Sequence, residues 1–113
     1  MTQQDKDLLL RDLCARLPYK TLIHIDGIGV KVLNYADTED VFINCAPLHV
    51  IKPYLRPISS MTHSEYDEYL RIKTHGKPFE VIDWLNARHI DYRKLIDKGL
   101  AIAVTDENNP YKQ

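Results

Sequence analysis

His24 and Asp26 stand two residues apart in "HID", and on an extended strand that spacing sends both side chains to one face. Joined by His49 from a later strand, they would form a nitrogen and oxygen set of the kind that holds a zinc ion. H-x-D is short enough to arise by chance, however, and His63, His75 and His89 have no ligand-type partner four residues away. The expectation is that His24, Asp26 and His49 lie on the solvent side of a sheet. Cys45 and His49 offer a nucleophile and a base, a pairing that works only within hydrogen-bond reach. A small buried cysteine at a strand end is the more economical account of Cys45. The chain has no glycine-rich phosphate loop, no G-x-S-x-G and no H-E-x-x-H. No catalytic, cofactor-binding or metal residue is therefore assigned, and a metal-dependent enzyme is the remote alternative.

Two basic stretches could make contacts of another kind. In "KPYLRP", Tyr54 offers a stacking ring between the charges of Lys52 and Arg56. In "ARHIDYRKLIDK", Arg88, Arg93, Lys94 and Lys98 lie close together, in a helix–turn–helix-like frame of 79–89 followed by 92–98. Seven residues make a short recognition helix, and Asp91 and Asp97 dilute its charge. These seven residues form the candidate interaction surface. A hinge in which Tyr54 and Leu55 pack, while Lys52 and Arg56 point outward, is the preferred reading of the first stretch. Trp84 reads as a core anchor.

Composition bounds the partner. Fifteen basic and sixteen acidic side chains leave a net charge of −1, a poor match to a protein that works mainly by neutralising phosphates. A protein partner is preferred, with nucleic acid at 88–98 as the alternative. No apolar run approaches the roughly 20 residues of a membrane span, and the polar start "MTQQDKD" lacks a secretory pattern. Cys14 and Cys45 have no metal-type spacing and read as reduced apolar residues, which fits a cytoplasmic protein.

These residues must be positioned by elements that the periodicity lays out. Leu10, Leu13, Cys14 and Leu17 recur at helical spacing within a first helix that Pro18 stops. The period then changes to two in "KTLIHID" and "VKVLNY", divided by a glycine turn at "DGIG". "ADTED" reads as a second turn, with "VFIN" and "LHVI" as further strands. Thr62 and Glu65 make a T-x-x-E capping box, with Met61 and Tyr66 as its staple, so "SSMT" is a helix start. Gly76 and Pro78 separate that helix from a third, on which Ile82, Trp84 and Leu85 are expected to be buried. Asp91 would cap a short helix 92–98 ended by Gly99, and "LAIAV" would be a last strand. The expectation is one α+β domain over 1–113. A helix (1–18) leads into a small antiparallel meander (19–58) curled towards a barrel. A helical part with a last strand (59–104) and a flexible tail (105–113) follow.

"RLPY", "IKPYLRPISSMT", "DWLNARHIDYRKLIDKGLAI" and the terminal "YK", in that order, resemble a family of small uncharacterised proteins of gut Bacteroidales and their prophages. The likeness runs from about Leu8 to Tyr111 and is least in the strand region. It implies an intracellular protein of mobile-element origin without an assigned activity. Where other members tend to read "HHFDYRGL", this chain has "RHIDYRKL", so a site built on paired histidines or on that glycine is not carried over.

Overall fold

The computed structural model describes residues 2–38 and 51–112. The elements are α1 (Gln3–Arg16), β1 (Leu22–Ile25), β2 (Gly29–Val32), β3 (Ile51–Leu55), α2 (His63–His75), α3 (Pro78–Ala87) and β4 (Ile102–Ala103). Single 3-10 turns lie at Leu17–Tyr19 and Ile58–Ser60. The fold is α+β, as the sequence predicts, but the sheet is mixed and open. In the strand order β2-β1-β3-β4, β1 pairs antiparallel with both β2 and β3, while β4 runs parallel to β3. Among the described residues, the sheet is not closed into the expected barrel.

The main correction concerns "KPYL". Tyr54 and Leu55 are buried and Lys52 is exposed, as expected, but the stretch is the body of β3, which lies between β1 and β4, and Ile51 and Pro53 are buried with them. Pro53 is tolerated because it sits at a register position opposite Ile23 near the end of the β1–β3 ladder. The strand readings at "VFIN" and most of "LHVI", with Cys45 and His49, fall outside the described residues. The β1–β2 hairpin forms as expected, with Gly27 and Gly29 at φ 84° and 101°, conformations that favour glycine. The run expected to turn at 36–40 is helical over 35–38.

α1 begins with a capping box made by Thr2 and Asp5. Its buried stripe is Leu9, Asp12, Leu13 and Arg16, and Cys14 is exposed. The apolar periodicity placed the stripe one position round because it could not foresee two buried charges. Arg16 and Asp12 are both 0% exposed and pair at 2.8 Å, one helical turn apart. Leu9 and Leu13 pack with Ile23, Leu33, Ile51, Leu55, Leu95 and Leu100 in the main core. A second cluster joins Trp84, Leu85 and Ile90, with Met61, Tyr69, Ile72 and Val81 against it.

α2 starts where the sequence places it. The Thr62 hydroxyl accepts from the Glu65 amide at 3.1 Å, and the Glu65 carboxylate accepts from the Thr62 amide at 2.9 Å. Trp84 and Leu85 are buried as expected, but Ile82 is 38% exposed. Residues 92–98 form turns rather than a helix. Lys94 adopts φ 60°, and the Asp91 carboxylate accepts from the amides of Leu95 and Ile96, both at 2.9 Å. That side chain therefore occupies the place that a helical carbonyl would take.

Candidate interaction surface

The seven residues singled out in the sequence do not form one patch. Lys52, Lys94 and Lys98 are exposed. Tyr54 is 7% exposed, and its carbonyl accepts from the Tyr111 hydroxyl at 2.7 Å. Arg56 grips Glu65 with two nitrogens at 2.9 and 2.7 Å, and also donates to the Ser60 carbonyl. Arg88 lies over the Trp84 ring, 4.0 Å from its centroid, and reaches Glu68 at 3.5 Å. Arg93 bonds Asp12 at 3.0 Å, and both it and Arg16 lie near the Tyr92 ring. The 88–93 segment is thus a hub of internal contacts. Without a helix over 92–98, the helix–turn–helix frame is absent.

The hub fixes the backbone as well as the side chains. The Ile90 amide donates to the Leu85 carbonyl at 3.0 Å, closing α3 with a six-residue C-terminal loop. His89 sits in that loop at φ 59°, a conformation costly for a side chain other than glycine. Its ring holds it there, 3.2 Å from the Thr21 hydroxyl and stacked on Tyr111 with centroids 4.2 Å apart. Burial first, then the guanidinium charges of Arg16 and Arg56, push the His89 imidazole down to about 4. It is therefore neutral near pH 7 and acts as packing. The Tyr111 hydroxyl also accepts from the Leu22 amide at 2.9 Å, so it bridges β1 and β3. Burial raises its phenol to about 12. Within the tail, Tyr111 is the residue that makes these bonds to the sheet.

Of the three groups in the metal reading, His49 lies outside the described residues. His24 and Asp26 approach to 3.7 Å on an exposed face, and Lys52 is opposite His24 in the β1–β3 register. Among the described residues, no group of three metal-type side chains occurs. Nor is any helix among them long and apolar enough to cross a membrane.

What the sequence reading missed is the outer face of the α2–α3 hairpin. α2 has 13 residues, none of them buried. Tyr69 and Ile72 lean toward Trp84, and Tyr69 meets that ring at 6.0 Å between centroids. Tyr66 and Leu70, one turn apart, remain 50% and 40% exposed. Lys73, next on their stripe, lines a groove of about 340 Å³ with Gly76, Pro78, Val81 and Ile82. Phe79, one turn before Ile82 on α3, is 60% exposed. Lys73 and Lys77 approach the rings of Tyr69 and Phe79 at 5.7 and 5.8 Å, so cations rim an apolar floor. The available signal was the width of the apolar arc Tyr66, Tyr69, Leu70, Ile72. It is broader than contact with a single neighbouring helix uses.

Compared with family models, curated proteins and solved structures, the chain finds no match. The likeness drawn from its motifs therefore rests on those motifs alone.

Proposed function

We propose that the chain is a non-enzymatic interaction protein that takes a protein partner on the outer face of the α2–α3 hairpin. Its setting, by the motif resemblance, is inside the cell and of mobile-element origin. The carrying observation is that α2 buries no residue and leaves Tyr66 and Leu70 exposed, while α3 leaves Phe79 and Ile82 exposed. Several large apolar side chains left exposed on one helical hairpin are what an association surface offers before it is covered. The arginines that would compete for this role by binding phosphates already hold carboxylates or rings within the chain.

The test is a photo-crosslinking amino acid at position 70 in cells, against the same group at exposed Arg71 on the neighbouring stripe. Position 70 should give a discrete adduct that Ile82→Asp abolishes, and position 71 should not give that adduct. Equal adducts from both positions, or none from 70, would remove the reading.

A further inference from the structure

We infer that Tyr111 is an acid-sensitive latch: its hydroxyl is wedged into the β1–β3 ladder, and a proton on the His89 ring stacked against it releases the C-terminal turn from the sheet.

The wedge follows from the register. Ile23 is opposite Pro53 and His24 is opposite Lys52, so Leu22 and Tyr54 make the next pair. Pro53 has no N–H to exchange with Ile23, and hydrogen-bonded pairs alternate along an antiparallel ladder, so Leu22 and Tyr54 fall at a bonded position. Tyr111 relays the bond from the one to the other. Its phenol oxygen accepts from the Leu22 amide at 2.9 Å and donates to the Tyr54 carbonyl at 2.7 Å. A turn carries this side chain: the Asn109 carbonyl accepts from the Lys112 amide, and the Asn109 side chain accepts from the Tyr111 amide.

His89 backs the phenol. The two rings lie 4.2 Å apart at 11°, and the imidazole is 3.2 Å from the buried Thr21 hydroxyl. Charge around the imidazole has one sign. From α1, the Arg16 guanidinium donates to the adjoining Ile90 carbonyl at 2.8 Å. From the end of β3, the Arg56 amide donates to the His89 carbonyl, and its guanidinium also acts on the ring. Asp12 and Glu65 are bound to those two arginines, Arg88 lies over Trp84, and Asp91 bonds the Leu95 and Ile96 amides. The Tyr111 phenol, raised to about 12 by burial, stays neutral. Among the described residues, no carboxylate pairs with His89. An imidazolium here would be a third cation.

The latched ring therefore titrates at about 4, against an ordinary 6.5 once released, with burial the first cause and the two guanidinium charges the next. The released state takes up the proton more readily, so the latch is fully held above 6.5 and weakens as pH falls towards 4. Those limits correspond to roughly 300-fold in the latch equilibrium. Partial exposure of the ring and the cation–π contact of an imidazolium with the Tyr111 face reduce this, leaving about tenfold between pH 7 and pH 5. Release takes one wall from the hollow of about 470 Å³ that Asn109 lines with Arg56, Ser60, Val104, Thr105 and Asp106.

Hydrogen exchange at the Leu22 amide of the full chain, corrected for the intrinsic pH dependence of exchange, tests the latch. Leu22 should open more readily than Leu13 in the core stripe of α1. Its opening constant should rise about tenfold from near pH 7 to near pH 5. His89→Asn keeps a side chain that tolerates the left-handed region but takes up no proton. In that variant Leu22 should open more readily at both pH values, with no rise between them. The wild-type imidazole, followed by nuclear magnetic resonance, should titrate below 6.5.

An opening constant that changes less than about threefold, or that rises as much in His89→Asn, overturns the acid trigger. So does an imidazole that titrates at its ordinary value while Leu22 stays protected, because the latch would then hold with the proton in place. Leu22 exchanging no more readily than Leu13 overturns the latch itself, since release would then require the whole fold to open.

Discussion

Removing the Arg56 side chain should cost far more than its place in a surface-like "LRP" would indicate. As an outward cation it would be worth under about half a kcal/mol. In the structure its guanidinium takes both Glu65 oxygens and the Ser60 carbonyl, with side chains 24% and 20% exposed in the pair. That hydrogen bonding is the main reason why the Glu65 carboxyl falls from 4.5 to about 2, against the opposing effect of burial. A fall of that size corresponds to roughly 3 kcal/mol of preference for the charged form, lowered somewhat by the pair's partial exposure. Arg56→Ala should therefore destabilise by about 2 kcal/mol near neutral pH, since Thr62 continues to hold the carboxylate.

The pH dependence has a definite sign. The folded carboxyl has the lower pKa, so the unfolded chain binds more protons between about 2 and 4.5. The stabilisation is complete above that window and is lost as pH falls through it. Urea unfolding followed by Trp84 fluorescence, near pH 7 and near pH 3, reads both effects. The wild type should lose stability between the two, and Arg56→Ala should lose less. A variant within about half a kcal/mol of wild type near neutral pH, or one with an unchanged pH difference, would refute the account of this pair.

Four further outcomes are expected. Tyr111→Phe should cost about 1–3 kcal/mol, because it leaves the Tyr54 carbonyl and Leu22 amide without the hydroxyl between them, and hydrogen exchange at Leu22 should accelerate. Asp12→Ala should cost about 3–5 kcal/mol in urea unfolding by stranding the fully buried Arg16, and clearly more than Arg93→Ala, whose partner remains paired. Thr62→Ala should cost about 1 kcal/mol in thermal unfolding through loss of the α2 cap. Trp84 should emit at the short wavelengths of a buried indole, and Trp84→Ala should cost about 3–5 kcal/mol.

Local signals were legible where a few neighbouring residues decide the outcome. The Thr62–Glu65 box, the glycine hairpin and the burial of Trp84 and Leu85 follow from short-range chemistry and hold in the structure. The failures share a different cause. "KPYL" reads as a hinge because two prolines disfavour helix, yet partners far along the chain make it a strand: Ile23 to Ile25 on one side and Ile102 to Ala103 on the other. The helix over 92–98 fails because Asp91 bonds two amides further along than an N-cap does. Arg16 and Asp12 were invisible as core because periodicity counts only apolar residues.

The candidate site was illegible for a deeper reason. The distinctive words of the sequence turn out to bond to one another. From "RLPY", Arg16 donates to the Ile90 carbonyl and Tyr19 to Asp83. The Arg56 amide donates to the His89 carbonyl, its carbonyl accepts from the Asp91 amide, and Tyr111 closes on Tyr54. Residue types that could do chemistry are consumed in holding α1, the sheet and α3 together, so their prominence marks the framework. A docking face has the opposite property. Tyr66, Leu70, Phe79 and Ile82 are ordinary apolar residues at helical spacing, and the same spacing describes a stripe already covered by the core. Only the positions of neighbouring elements separate the two cases. Here α3 covers Tyr69 and Ile72 and leaves the adjacent stripe exposed.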